Sequence, residues 1–283
     1  MKFINPKTDF AFKKIFGSES STDILISFLN ALLGLKTPYR LQEVTILDPY
    51  LAPKIRGMKD TYLDVRAKDE QGKSYIIEMQ VLNVAGFEKR VLYNACKAYA
   101  GQIARGEDYH LLAEVIAITI TDFIMFPGTT SILSKYKLRA EDGDVYADDL
   151  ELVFAELPKF TKSEDELETV LDRWYYFLKH AEDLDAVPEP LKQEPPIVHA
   201  FELAKKSALT PEELEDQERR EIFIQDQRGA IQLAERRGME KGREEGRSEM
   251  VMQAHDAGMP CEEIASIFQM ELREVKKIVE NKK

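Results

Sequence analysis

Residues 59–82, KDTYLDVRAKDEQGKSYIIEMQVL, read as a two-stranded hairpin around which the rest of the chain is arranged. In YLDVRA, Tyr62, Asp64 and Arg66 alternate with Leu63, Val65 and Ala67; in SYIIEMQV, Ile76, Glu78 and Gln80 alternate with Ile77, Met79 and Val81. A period of two puts each triplet on one sheet face. The polar run between them holds Gly72, free to take positive φ, and a symmetric hairpin centred near Gln71 sets Asp64 opposite Glu78. Like charges opposed across a ladder repel, so two carboxylates on a strand otherwise rich in Ile, Met and Val need a compensating group. A divalent cation is one such group. Asp64 and Glu78, joined by the backbone carbonyl of Met79 and completed by water and a substrate phosphate, would suit magnesium, with manganese as the alternative ion. The same spacing also fits the solvated face of an ordinary surface hairpin, and spacing alone does not choose.

Composition narrows the classes around this hairpin. A chain of 283 residues with 44% hydrophobic content can bury a full core and is not a disordered chain. No stretch is long and apolar enough to span a bilayer, and MKFINPKTDFAFKK has no hydrophobic signal core, so a cytoplasmic protein with no membrane association is expected. Cys96 and Cys261 stand alone and His110, His180, His199 and His255 are scattered, which offers neither a disulfide framework, a zinc set nor a Cys/His nucleophile. With 39 basic against 51 acidic residues the net charge is −12, unlike a general polyanion binder. Residues 1–60 carry 9 basic and 6 acidic residues, so contact with nucleic acid would rest on local patches and be salt-sensitive.

Outward from the hairpin, residues 8–16 read as a short helix with Phe12, Ile15 and Phe16 facing a core and Gly17 ending it. On the residues alone, Asp9 and Lys13 at i and i+4 form a helix-surface ion pair. TDILISFLNALLGL is a second helix running to Gly34, and LQEVTIL a first strand. Residues 87–105 form an amphipathic helix in which Arg90 could meet a phosphate, with Tyr93 and Tyr99 packing inward. EVIAITI and LVFAEL have the length of buried strands, and residues 164–186 form a helix with Trp174 on its core face. The order α-β-β-β-α-β gives an α/β core with a mixed sheet.

Asp64 followed by Glu78-Met79-Gln80 on the next strand and the helix KRVLYNACKAYAGQI resembles the PD-(D/E)XK nuclease superfamily. Within it, TDFAFKKIFG, EVIAITITDF, LVFAELPKF and DRWYYFLK are similar to the Rpn-type recombination-promoting nucleases, a family also described as transposases. The resemblance covers about residues 1–180 and implies a restriction-endonuclease-like fold, DNA as partner and a magnesium-dependent endonuclease, linked to recombination or mobile elements. It makes Asp64 and Glu78 the metal ligands, places the first helix beside the site with Asp9 as a further acidic residue, and puts Gln80 where the superfamily has lysine. Gln80 can position a water and cannot supply charge, so Lys13, Lys14 or Lys59 would compensate. The competing class is a weak or inactive nuclease-fold protein that binds DNA or a partner.

This divides the chain into a nuclease-like domain at 1–186, a Pro-rich connection and short helix at 187–210, a charged helical segment at 211–248 and a small helix-turn-helix-like element at 249–283. Ala230, Ala234, Gly238, Gly242, Gly246, Met250 and Ala254 recur every four residues, but each step overshoots a turn by about 40°, so a solvated helix is favoured over a homodimer seam. In the last element Ile264, Ile267, Phe268, Leu272, Val275 and Ile278 supply apolar contacts. Arg273, Lys276, Lys277, Lys282 and Lys283 either meet DNA phosphates or complement the helix dipole.

Overall fold

A computed structural model of the chain describes residues 2–51 and 61–280. The contacts expected of Lys59, Lys282 and Lys283 lie outside the described residues. The elements are, in order, α1 (Asp9–Phe16), α2 (Thr22–Leu33), β1 (Val44–Leu47), β2 (Tyr50–Leu51), β3 (Thr61–Tyr62), β4 (Val65–Asp69), β5 (Ser74–Gln80), α3 (Phe87–Ala100), β6 (Val115–Thr121), β7 (Leu133–Arg139), β8 (Val145–Glu156), α4 (Val170–His180), α5 (Glu189–Lys192), α6 (Pro195–Ala204), α7 (Pro211–Asp256), α8 (Cys261–Ile267) and α9 (Leu272–Glu280). They form two compact units, Met1–Ile224 and Gln225–Lys283.

The first unit is a mixed α/β fold on a six-stranded sheet ordered β1-β4-β5-β6-β8-β7. The hairpin β4–β5 is antiparallel, with Val65 opposite Ile77 and Lys68 opposite Ser74. Carried one step further, this register puts Asp64 opposite Glu78, as the symmetric hairpin requires. Its turn is tied by the Asp69 carboxylate, which accepts from the N–H groups of Gln71 and Lys73 at 2.9 Å each, and Gly72 takes φ +90°. Beyond β5 the sheet turns parallel through β6 and β8, and β7 closes the edge antiparallel. Strand β7, LSKYKLR, has no counterpart in the sequence reading. An edge strand with lysine and arginine along it lacks the apolar run that marks a buried one.

Alternation along β5 assigns the two layers. Tyr75, Ile77 and Met79 face the main core with α1, α2, α4 and α6, whereas Ile76 packs with Ala95 and Ala98 of α3 on the other face. Leu63 departs from the expected alternation. It packs with Ile76 and not with Val65 and Ala67, because the chain bends between β3 and β4. In the main core Phe16 lies 5.2 Å from Phe28 and 5.7 Å from Trp174, ring centre to ring centre, and all three are fully buried. Each such side chain contributes about 1.5–3 kcal/mol, which anchors α1 firmly against the sheet.

The prolines at 188–196 do not mark a surface connection. Pro195 and Pro196 open α6, where a missing N–H costs nothing, and Ile197, Ala200, Phe201 and Ala204 are buried in the main core. The compact unit therefore runs past the boundary expected at 186, to Ile224.

In the second unit, Val251, Ile264, Ala265 and Val275 form a small core with Phe268 and Ile278 packed against it. Ile267 and Leu272, expected to join it, are exposed, because α8 and α9, both short, packed on the end of α7 enclose too little space to cover every apolar side chain. Ala230, Ala234, Gly238, Gly242 and Met250 of α7 are exposed as well. Among the described residues no helix is long and apolar enough to cross a membrane.

Candidate active site

Strand β5 carries Ile76, Glu78 and Gln80 on one face, and α3 lies over that face. Asn94 Nδ2 donates to Glu78 Oε1 at 2.9 Å, and Arg90 Nη2 donates to Gln80 Oε1 at 2.6 Å. Two strand residues span about 6.7 Å and one four-residue helix step about 6 Å, so residues i and i+2 of the strand meet residues i+4 and i of the helix, which runs back over it. Gly86, at φ +79°, makes the turn that sends the chain from β5 into α3.

Asp64 comes from the bend before β4. Its Oδ2 accepts the Met79 N–H at 2.9 Å, and its Oδ1 lies 3.5 Å from Lys13 Nζ on α1. The N–H and C=O of a strand residue point to the same side, so the Met79 carbonyl lies on the Asp64 side of β5, while the Gln80 carbonyl accepts from Asp122 on the other. Burial pushes the Asp64 carboxyl above the ordinary carboxylate range, against the opposing pull of the Met79 N–H and Lys13. Asp9 adds to the rise. Burial also raises Glu78, the charge of Asp64 raises it further, and Arg90, Asn94 and Lys13 oppose.

Asp9, Asp64, Glu78, Met79, Gln80 and Arg90 line one cavity of about 980 Å³, together with Tyr62, Lys89, Tyr93 and Asn94. A smaller cavity of about 490 Å³ opens beside the β4–β5 turn, where Lys73 pairs with Glu114 at 2.7 Å and Asp69 accepts from the Tyr75 hydroxyl at 2.9 Å.

The partners of the expected helix-surface pair go to different groups. Lys13 reaches Asp64, and Asp9 Oδ2 accepts from Arg220 Nη1 of α7 at 2.8 Å. Two further contacts fasten α1 to the start of α7: the Thr8 hydroxyl donates to Gln217 Oε1 at 2.7 Å in a buried setting, and Lys14 Nζ lies 2.6 Å from Glu213 Oε1. Lys14 is thus engaged with α7 and does not line the cavity, contrary to its expected place. Gln80 is also more occupied than expected, since its amide nitrogen donates to the Leu82 carbonyl at 2.7 Å. On α9, Arg273 pairs with Glu271 at 2.5 Å and Lys276 lies 3.8 Å from Glu262, and Lys277 is exposed.

Sequence reading missed Asn94, Lys89, Tyr62 and Arg220. The first two had a usable signal, because Lys89, Arg90, Tyr93 and Asn94 share one helical face. Arg220 had none, standing 211 residues from Asp9.

A parallel-centred mixed sheet with two half-buried carboxylates brought together at a bend and on the adjoining strand is the architecture of the PD-(D/E)XK nuclease fold. The family model described as PD-(D/E)XK nuclease family transposase matches residues 6–234, and the chain belongs to that family. Neither the curated proteins nor the solved structures contain a match.

Proposed function

We propose that this chain is a magnesium-dependent DNA endonuclease that hydrolyses phosphodiester bonds, with Asp64 and Glu78 as the ligands of the cation. The observation that carries this reading is the crowding of two half-buried carboxylates at one cavity, each raised by desolvation and Glu78 raised further by Asp64. The donor set fits the ion. Two carboxylates and the Met79 carbonyl are hard oxygen donors, and among the described residues no group of three or more His, Cys, Asp or Glu forms a closed cage. Magnesium, with manganese as its substitute, is held in this way by few protein oxygens, leaving positions for water and phosphate. When bound, the cation supplies Lewis acidity toward a phosphoryl oxygen and lowers the pKa of a coordinated water.

The side chains do the rest. Lys89 and Arg90 hold the phosphate in the cavity, and Lys13 balances Asp64. Gln80 aims Arg90 through its Oε1 and keeps one amide N–H for the attacking water, so the charge missing at this position comes from Arg90. Asp9 stands at the cavity as a reserve carboxylate, held by Arg220.

The second reading, a nuclease-fold binding module without activity, is favoured by Gln80 at the superfamily's lysine position. One assay separates the two: purified protein with plasmid and single-stranded DNA, with magnesium or with chelator. Cleavage that needs the metal and disappears in Asp64→Ala is expected. Binding with no cleavage under any divalent ion favours the module.

A further inference from the structure

Tyr62 is 73% exposed, although it lines the same cavity as the two carboxylates. Its ring is held in place by Tyr50 across the β2–β3 pair, with ring centres 4.9 Å apart and planes inclined at 31°. Tyr93 of α3, 38% exposed, lines the cavity from a second element, on the helical face that carries Lys89 and Arg90. Singly exposed aromatics are common. Here two stand at one cavity, beside Lys89 and Arg90.

We infer that the site takes an unpaired DNA strand, with a base stacked on Tyr62 and a neighbouring phosphate on Lys89 and Arg90, an inference that rests on the nuclease reading and names its substrate. Charge decides against a duplex as the preferred ligand. Duplex binders draw affinity from roughly 6–10 phosphate contacts. Among the described residues, the charged ones lining the cavity are Lys89 and Arg90 against Asp9, Asp64 and Glu78, so even with a divalent cation bound the field they set is weak. Stacking supplies what charge does not. Each base stacked on an aromatic ring is worth about 1–3 kcal/mol, and a ring already braced by a neighbour loses little freedom on binding. In a duplex the base faces are covered by one another, so only an unpaired strand offers them to Tyr62.

The test is fluorescence anisotropy of a labelled oligothymidine and of a labelled duplex hairpin, in chelator so that nothing is cut, with wild type, Tyr62→Ala and Tyr62→Phe. The single strand is expected to bind wild type more tightly than the duplex. Tyr62→Ala is expected to weaken it by roughly five- to a hundredfold, with Tyr62→Phe within about twofold of wild type. Abasic sites in place of bases provide a check that needs no variant, and the same loss is expected with wild-type protein. Equal single-strand binding by Tyr62→Ala, equal affinity for the duplex, or indifference to abasic sites would overturn the inference. A parallel digestion in magnesium keeps the two readings apart. Tyr62-dependent binding without cleavage overturns the nuclease and supports the stacking, whereas cleavage with Tyr62-independent binding does the reverse.

Discussion

The candidate site and the C-terminal unit use the same kinds of charged side chain, and they differ in how far those side chains are withdrawn from water. Around Asp64 the groups are drawn against a sheet: the Asp64 side chain is 16% exposed, and burial raises both carboxylates. In residues 225–283 the pairs are solvated, such as Lys241 with Glu245 at 77% and 67% exposure and Arg273 with Glu271 at 82% and 63%. Exposed pairs of this kind are worth about 0–1 kcal/mol and leave both partners free to exchange. The count of charges therefore says little about where a reaction runs. What separates the regions is the sheet register that forces Asp64 and Glu78 together out of water.

The sharpest way to break that contrast is to remove one of the crowded carboxylates. Asp64→Ala or Glu78→Ala should abolish metal-dependent cleavage while leaving the metal-free chain folded, since relief of repulsion and desolvation offsets the hydrogen bond lost to the Met79 N–H or to Asn94. Undiminished cleavage by either folded variant, read on plasmid DNA, would sink the assignment of the site.

Truncation moves the line between the regions. The sequence reading ends the nuclease-like domain at 186, yet Glu213, Gln217 and Arg220 fasten α1 beside the site. A chain ending at Thr210 should lose both thermal stability and cleavage, because α1 loses three contacts at once, Thr8 with Gln217, Lys14 with Glu213 and Asp9 with Arg220. A chain ending at Ile224 should keep both. If α9 meets DNA, this second truncation also flattens the dependence of binding on salt; an unchanged slope removes Arg273, Lys276 and Lys277 from the interface.

Gln80→Leu and Arg90→Ala test the contact proposed to stand in for the superfamily's lysine. Each should lower single-turnover rates in saturating magnesium by about ten- to a thousandfold, as removal of a positioned polar group typically does. Equal rates in Gln80→Leu would reduce Gln80 to a structural strand residue.

Titration gives a smaller effect with a definite sign. Asp64 and Glu78 have folded-state pKa values above their unfolded ones, so the folded chain binds more protons between the two. These groups favour the fold below the ordinary carboxylate range of about 4, and that contribution is lost as pH rises through the raised folded values. Metal-free Asp64→Asn and Glu78→Gln should therefore melt above wild type at neutral pH, with the gap closing toward about pH 4. Metal affinity of wild type should fall as acid reprotonates the pair.

The smallest effect belongs to the solvated helix. A Cβ at Gly238, Gly242 or Gly246 meets nothing within 4 Å, so alanine there should stabilise α7 by about 0.5–1 kcal/mol each and leave cleavage unchanged. Loss of stability would mean that the stripe is packed against a partner in solution.

The sequence by itself determined the hairpin, its register and the facing of Asp64 and Glu78, because a period of two and a symmetric turn are local properties of the backbone. It likewise determined that Phe12, Phe16 and Trp174 are core, since helical spacing encodes which side of an element is apolar. It did not reveal β7, an edge strand in which Lys135, Lys137 and Arg139 interrupt any apolar run, or the incorporation of α6 into the core, where prolines at a helix start read as a connection. Only the tertiary structure decided which polar groups meet: Asn94 on Glu78, Arg90 on Gln80, Arg220 on Asp9 across 211 residues, and Lys14 drawn away to Glu213. Periodicity tells a side chain which face to occupy. Which partner waits on the facing element is set by how the layers pack, and that depends on the whole core at once.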